Sequence, residues 1–156
     1  KLTYCANWDY YTGIPFWNKL DFIGIDSYFS LSNKKTPTLQ ECVKNLKPIK
    51  WALKNTSKHY GKKIVFTEFG FQSRNQAGYE PWNWKEHKKA TVNTEAQAVC
   101  YQALFDSFWS EDWFHGGFSW KWHLDYSKSG GVYDNSYTPQ NKPAEKIISS
   151  FYDKNS

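Results

Sequence analysis

Short apolar runs alternate with longer amphipathic stretches along this chain, the pattern of an α/β protein built on a parallel sheet. Leu2 to Ala6 reads as a strand that opens into a polar-aromatic loop, Asn7-Trp8-Asp9-Tyr10-Tyr11. A helical turn is expected over Pro15 to Leu20, with Pro15 suited to a first turn. Phe22-Ile23-Gly24-Ile25 is a compact buried strand that ends at Asp26-Ser27-Tyr28. From Thr38 to Tyr60 the period becomes helical, with Leu39, Val43, Leu46, Ile49 and Leu53 at spacings of three and four. Pro48 predicts a kink or a split into two helices, and Gly61 suits a C-terminal cap. Ile64-Val65-Phe66 is the third strand and runs into Thr67-Glu68-Phe69-Gly70. A long loop, roughly 72–92, precedes an amphipathic helix from Thr94 to Trp109, capped by Asn93 or Thr94. Its inward positions are Ala96, Val99, Cys100, Ala103 and Phe108. Gly116 to Trp120 is the fourth strand, and a last helix spans about Pro143 to Tyr152.

The chain has 156 residues, begins with Lys1 and contains no methionine. Four strands are half the number of a (β/α)₈ barrel, which needs roughly 250 residues, so the pattern fits a segment of a longer protein. Nine Trp, eleven Tyr and eleven Phe make one residue in five aromatic. Several indoles sit among polar neighbours, as in Asn83-Trp84-Lys85 and Lys121-Trp122-His123, which favours a surface that stacks on sugar rings over core filling alone. The net charge is +5, but Arg74 is the sole arginine and the lysines form no stripe. Nucleic-acid sites favour arginine for bidentate contacts, so a solvated lysine surface is the better reading. Cys5, Cys42 and Cys100 follow no metal or redox spacing, and each is expected to be buried as a small hydrophobe. No apolar run approaches the length of a membrane span.

Glu68 is the sharpest candidate for chemistry. A carboxylate directly after a β-branched and aromatic run stands at the C-terminal mouth of its strand, where parallel barrels place their reacting groups. Solvated glutamates at strand ends are common, but the neighbours here weigh against that. Gly70 would let the backbone turn beside the site. Asp26 and Tyr28 end the strand before, and Trp120 ends the strand after. A phenol that hydrogen-bonds the carboxylate and an indole that floors a sugar ring together make a sensible glycosidase subsite.

At these residues the chain resembles family 113 of the glycoside hydrolases, the (β/α)₈ endo-β-1,4-mannanases of a large retaining clan. The segments that carry the resemblance are Leu2-Thr3-Tyr4 with Ala6-Asn7-Trp8-Asp9, and Trp17 with Leu20 to Phe29. Pro48-Ile49, Thr67-Glu68-Phe69-Gly70 and Glu80-Pro81-Trp82 follow. The helix of Gln97, Gly117 to Trp122 and Lys142-Pro143-Ala144 complete the series in family order. The resemblance implies that Glu68 is the nucleophile at the end of strand seven, and that the four strands here are strands five to eight with their outer helices. Residues 1–156 would then be one region, the C-terminal half of a barrel. The general acid/base would stand at the end of strand four, outside this sequence. Glu41 and Glu95 are helical, Glu80 and Glu86 lie in a loop, and Glu111 ends a helix, so none matches that motif. The implied mechanism is double displacement, which places the two carboxyl groups ~5–5.5 Å apart.

The remaining candidates each carry two readings. Asn7 and Trp8 would bind sugar hydroxyls or pack their loop, and Asp26 would touch substrate or hold a loop. Trp82 and Trp84 suit a stacking platform or a clamp on the long loop. His123 would line the cleft or cap the strand end. His59, His87 and His115 read as structural; no metal spacing is found and no cofactor is required. The expected partner is an oligo- or polysaccharide. A non-catalytic glycan-binding module is the alternative, and an isolated half-barrel is expected to self-associate through unpaired strand edges and exposed apolar faces.

Overall fold

A computed structural model describes residues 1–85 and 90–153. Glu86, His87 and the Lys88-Lys89 pair of the long loop lie outside the described residues. Four strands, β1 (Cys5–Asn7), β2 (Ile23–Asp26), β3 (Ile64–Phe69) and β4 (Phe114–Ser119), form one parallel sheet in chain order. Helix α1 (Leu39–Tyr60) joins β2 to β3, α2 (Thr94–Phe108) joins β3 to β4, and α3 (Pro143–Tyr152) follows β4. Two short 3-10 turns, Tyr11–Gly13 and Trp17–Lys19, replace a helix between β1 and β2. This is half of a (β/α)₈ barrel.

The strands bury one face under the helices. Ala6, Ile25 and Phe66 stand in one row of the ladder and are all buried. Phe66 meets Phe108 of α2 edge-on at 5.1 Å, and Phe69 meets Tyr101 and Phe105 in the same way. β1 starts later than the apolar run predicts, because Leu2 is tied to Asp21 rather than to the ladder. Cys5 corrects a second expectation. Strand alternation turns it to the face opposite Ala6, where it is exposed, whereas Cys42 and Cys100 are buried.

Helix α1 is continuous through Pro48. The proline is exposed, and so is Lys44, whose carbonyl loses its donor there, so water can take the missing bond's place. The buried stripe of α1 runs through Cys42, Leu46, Leu53 and Ser57, while Leu39 sits at the rim. Thr38 caps the start by accepting from the Glu41 N–H, and Gly61 ends the helix in the left-handed region at φ 63°. Asn93 caps α2 through the Ala96 N–H. That helix is buried on almost every side because α1 and α3 flank it.

One irregularity matters for the site. From Phe66 to Glu68, β3 advances two residues while β2 advances one, Ile25 to Asp26. From Phe66 to Phe69 it advances three while β4 advances two, Gly117 to Ser119. Against both neighbours, β3 therefore carries one extra residue at Thr67-Glu68, a bulge that re-aims side chains. Just beyond it, Gly70 is required for a different reason than a sharp turn. A Cβ there would stand 2.1 Å from the Trp120 carbonyl oxygen.

A partly buried ion pair within the loop after β4 also grips Ser73 of the loop after β3. The fully buried Lys142 ammonium donates to Asp134 Oδ1 at 2.7 Å, Ser73 Oγ at 2.7 Å and the Ser136 carbonyl at 3.2 Å. Burial pushes the Asp134 carboxyl up, but the bonds from Lys142 and Ser136 outweigh it and hold the group below the usual carboxylate range.

Two outcomes follow. Asp134→Asn leaves the buried ammonium without its counter-charge and costs roughly 3 kcal/mol at pH 7 in urea unfolding. Because the folded carboxyl is depressed, its contribution is fully present above the unfolded value of ~3.9 and is lost as pH falls through the folded value; the gap between wild type and variant should close once the pH lies below that folded value. Gly70→Ala should force Trp120 away from β3 and lower the unfolding midpoint, with a changed tryptophan emission that reports the displacement.

Candidate active site

The strand ladder aligns three polar residues. Asn7, Asp26 and Glu68 stand in one row across β1, β2 and β3. The bulge separates the tasks of the two residues it carries. Thr67 donates its hydroxyl to Asp26 Oδ1 at 2.7 Å, which ties β3 to β2. The Glu68 carbonyl accepts the Ser27 N–H at 2.7 Å, and its half-buried carboxylate turns towards Tyr28.

Tyr28 donates its phenol to Glu68 Oε2 at 2.7 Å. Burial, and next the hydrogen bond to Glu68, raise the Tyr28 phenol far above its ordinary value. It therefore stays protonated and remains a donor across the physiological range. Together Asn7, Asp26, Tyr28, Glu68, Trp82, Trp84, Trp120 and Tyr137 line one cleft of about 440 Å³.

Three indoles and two phenols surround the carboxylate. Trp120 follows β4 directly, with its N–H on the Phe69 carbonyl at 2.7 Å, and the Trp120–Lys121 peptide is cis. Trp82 and Trp84 come from the long loop and are partly open to solvent. Such rings, arranged around a hydrogen-bonded carboxylate, form a surface suited to the flat C–H faces of sugars. Among the described residues, no group of three His, Cys, Asp or Glu is placed to hold a metal ion.

Seven of the residues picked from sequence thus meet: Glu68, Tyr28, Asn7, Asp26, Trp82, Trp84 and Trp120. Two stand elsewhere. Trp8 lies behind the cleft, stacked on Trp82 at 4.7 Å and 25° and edge-on to Phe29. His123 is not among the lining residues; Gln140 holds it by both its N–H and its carbonyl. Of the other histidines, His115 stacks on Phe22 at 4.8 Å and His59 packs on Tyr60. Tyr137 escaped the sequence reading. It lies in an irregular loop with no local signal, and only the fold brings it edge-on to Tyr28 at 6.3 Å.

Solved structures similar to this fold include β-mannanases. One is the family GH113 β-mannanase from Alicyclobacillus acidocaldarius in complex with ManMIm, at 24% identity and a TM-score of 0.78. The match covers 97% of this chain and 44% of that one. A GH113 β-1,4-mannanase complex matches at 25% identity and 0.76, over 97% and 45%. The Faecalibacterium prausnitzii β-glucuronidase shares the fold at 16% identity and 0.58, over 98% of this chain and 25% of that one. This chain spans less than half the length of the mannanases it matches. No curated protein matches it significantly. The model of Glycoside Hydrolase Family 113 matches residues 1–142, and the chain belongs to that family.

Proposed function

We propose that this chain is the nucleophile-bearing half of a retaining β-glycosidase that acts on β-1,4-linked polysaccharide, mannan foremost, with Glu68 as nucleophile. The observation that carries the reading is the Tyr28–Glu68 hydrogen bond inside an indole-lined cleft at the strand ends. Family membership and the β-mannanase structures support the substrate class. In this reading residues 1–156 are one region that supplies strands five to eight, and strand four of the complete barrel supplies the acid/base.

The chemistry is double displacement. The acid gives its proton to the glycosidic oxygen while one Glu68 oxygen bonds to the anomeric carbon and the leaving sugar departs. Water, deprotonated by the same acid/base, then attacks that carbon and frees Glu68 as a carboxylate. Tyr28 engages one oxygen of the nucleophile and holds its plane, leaving the other to attack. Trp120 floors the reacting sugar, Asn7 and Asp26 face its hydroxyls, and Trp82 stacks on a neighbouring unit.

One observation favours a second reading, a glycan-binding module. Among the residues that line the cleft, Glu68 and Asp26 are the carboxylates, and Asp26 already accepts from Thr67. The isolated chain is then inactive and associates through its β1 and β4 edges and exposed Phe118.

In the complete enzyme Glu68→Gln should lower kcat by about three orders of magnitude or more with an unchanged thermal midpoint. A 2-deoxy-2-fluoro-β-mannosyl fluoride should label Glu68, as read by peptide mass mapping. Wild-type turnover in the variant, or a label on another residue, removes Glu68 from the reaction; neither label nor turnover in the wild type leaves the binding module.

A further inference from the structure

We infer that Tyr137 is a positioning residue that sets the Trp82–Trp84 platform against the Tyr28–Glu68 pair. The inference deepens the proposed function and rests on it for the identity of the ligand, but the geometry behind it does not involve a ligand.

Residues 80–84 fold on themselves through the Asn83 N–H to the Glu80 carbonyl and the Trp84 N–H to the Trp82 carbonyl. Such a turn fixes its own shape but not its place above the sheet. Three bonds from outside do that. The Tyr137 hydroxyl donates to the Pro81 carbonyl. Gln72 Nε2 reaches the Asn83 carbonyl at 3.5 Å, the far limit of a hydrogen bond, and the Glu80 N–H reaches Ser30 Oγ at 3.2 Å. The first acts on the residue directly before Trp82. Trp8 then sets the tilt of the Trp82 ring by stacking on it.

Tyr137 is itself rigidly held. Its carbonyl accepts from Gln97 Nε2 at 3.1 Å, and the same fully buried amide donates to the Phe71 carbonyl at 2.8 Å. Phe71 lies three residues past Glu68 on the same strand exit, so one amide of α2 anchors both the exit of β3 and Tyr137. The Tyr137 ring meets Tyr28 edge-on, and both phenols line the cleft. Burial pushes the Tyr137 phenol up to about 12, against the opposing Gln72 amide, so it stays a donor near neutral pH. A continuous path of side chains thus links the carboxylate's strand to the stacking rings of a loop.

The test is Tyr137→Phe, which removes the hydroxyl and keeps the ring. Two stacked indoles give an exciton couplet in far-ultraviolet circular dichroism, and Trp82→Phe identifies the part due to Trp8 and Trp82. In Tyr137→Phe that couplet should weaken, and mannohexaose affinity, read from tryptophan fluorescence of the complete protein carrying Glu68→Gln, should fall about tenfold, the effect of one lost hydrogen bond. In the complete enzyme the loss should appear in KM for long oligosaccharides, with kcat nearly unchanged. A lower thermal midpoint with an unchanged couplet overturns the inference, because Tyr137 would then be merely structural. A weakened couplet in a complete protein whose wild type neither binds nor cleaves mannohexaose upholds Tyr137's role and removes the mannan reading instead.

Discussion

A carboxylate taken partly out of water needs donors, or its charge becomes costly. Tyr28 supplies one to Glu68, and nearly every feature around the cleft exists in relation to that bond. The phenol follows β2 and the carboxylate stands on β3, so their meeting depends on the register of two strands. A regular ladder would set successive residues of β3 on opposite faces in strict alternation. The extra residue at Thr67-Glu68 breaks the alternation once, where it is needed. Thr67 then bonds Asp26 while Glu68 turns to Tyr28. Without the bulge Thr67 and Glu68 would point to opposite faces of the sheet, and only one of them could meet the residues that end β2.

The same irregularity explains what sequence could and could not tell. Strand and helix identities were legible because their apolar periods are long and clean, and the chain-order parallel sheet follows from that alternation. Glu68 was legible because a charge right after Ile64-Val65-Phe66 must lie at the strand's end. Pro48 did not split the helix, because both it and Lys44, whose carbonyl loses its donor, lie on the exposed face of α1. Cys5 misled because three residues of strand leave its face to alternation alone, and an apolar neighbourhood in sequence does not choose a face. The role of Gly70 was misread for a related reason. Its constraint comes from the Trp120 carbonyl, fifty residues away in the chain.

Tyr137 and Trp8 mark the boundary of what local pattern carries. Tyr137 sits among Ser136, Thr138 and Pro139, where nothing distinguishes a cleft residue from a turn residue. Its importance arises only when Gln97 draws its backbone to the exit of β3. Trp8 carried two readings in the sequence, sugar contact or loop packing. Its stack on Trp82 gives it a packing role, and through that role it shapes a ring that does line the cleft.

The cleft therefore divides its work between two kinds of support. Asn7, Asp26 and Glu68 are placed by backbone ladders, whose hydrogen bonds repeat along three strands. Trp82 and Trp84 are placed by side-chain bonds to a loop, few in number and each replaceable. Reaction at an anomeric carbon demands the first kind of precision, since small displacements of a nucleophile are costly. Stacking on a sugar face tolerates sliding, and different polysaccharides present their faces at different heights. In the proposed reading the reacting carboxylate belongs on the strand and the recognition rings on the loop, because only the loop can be retuned without moving the chemistry.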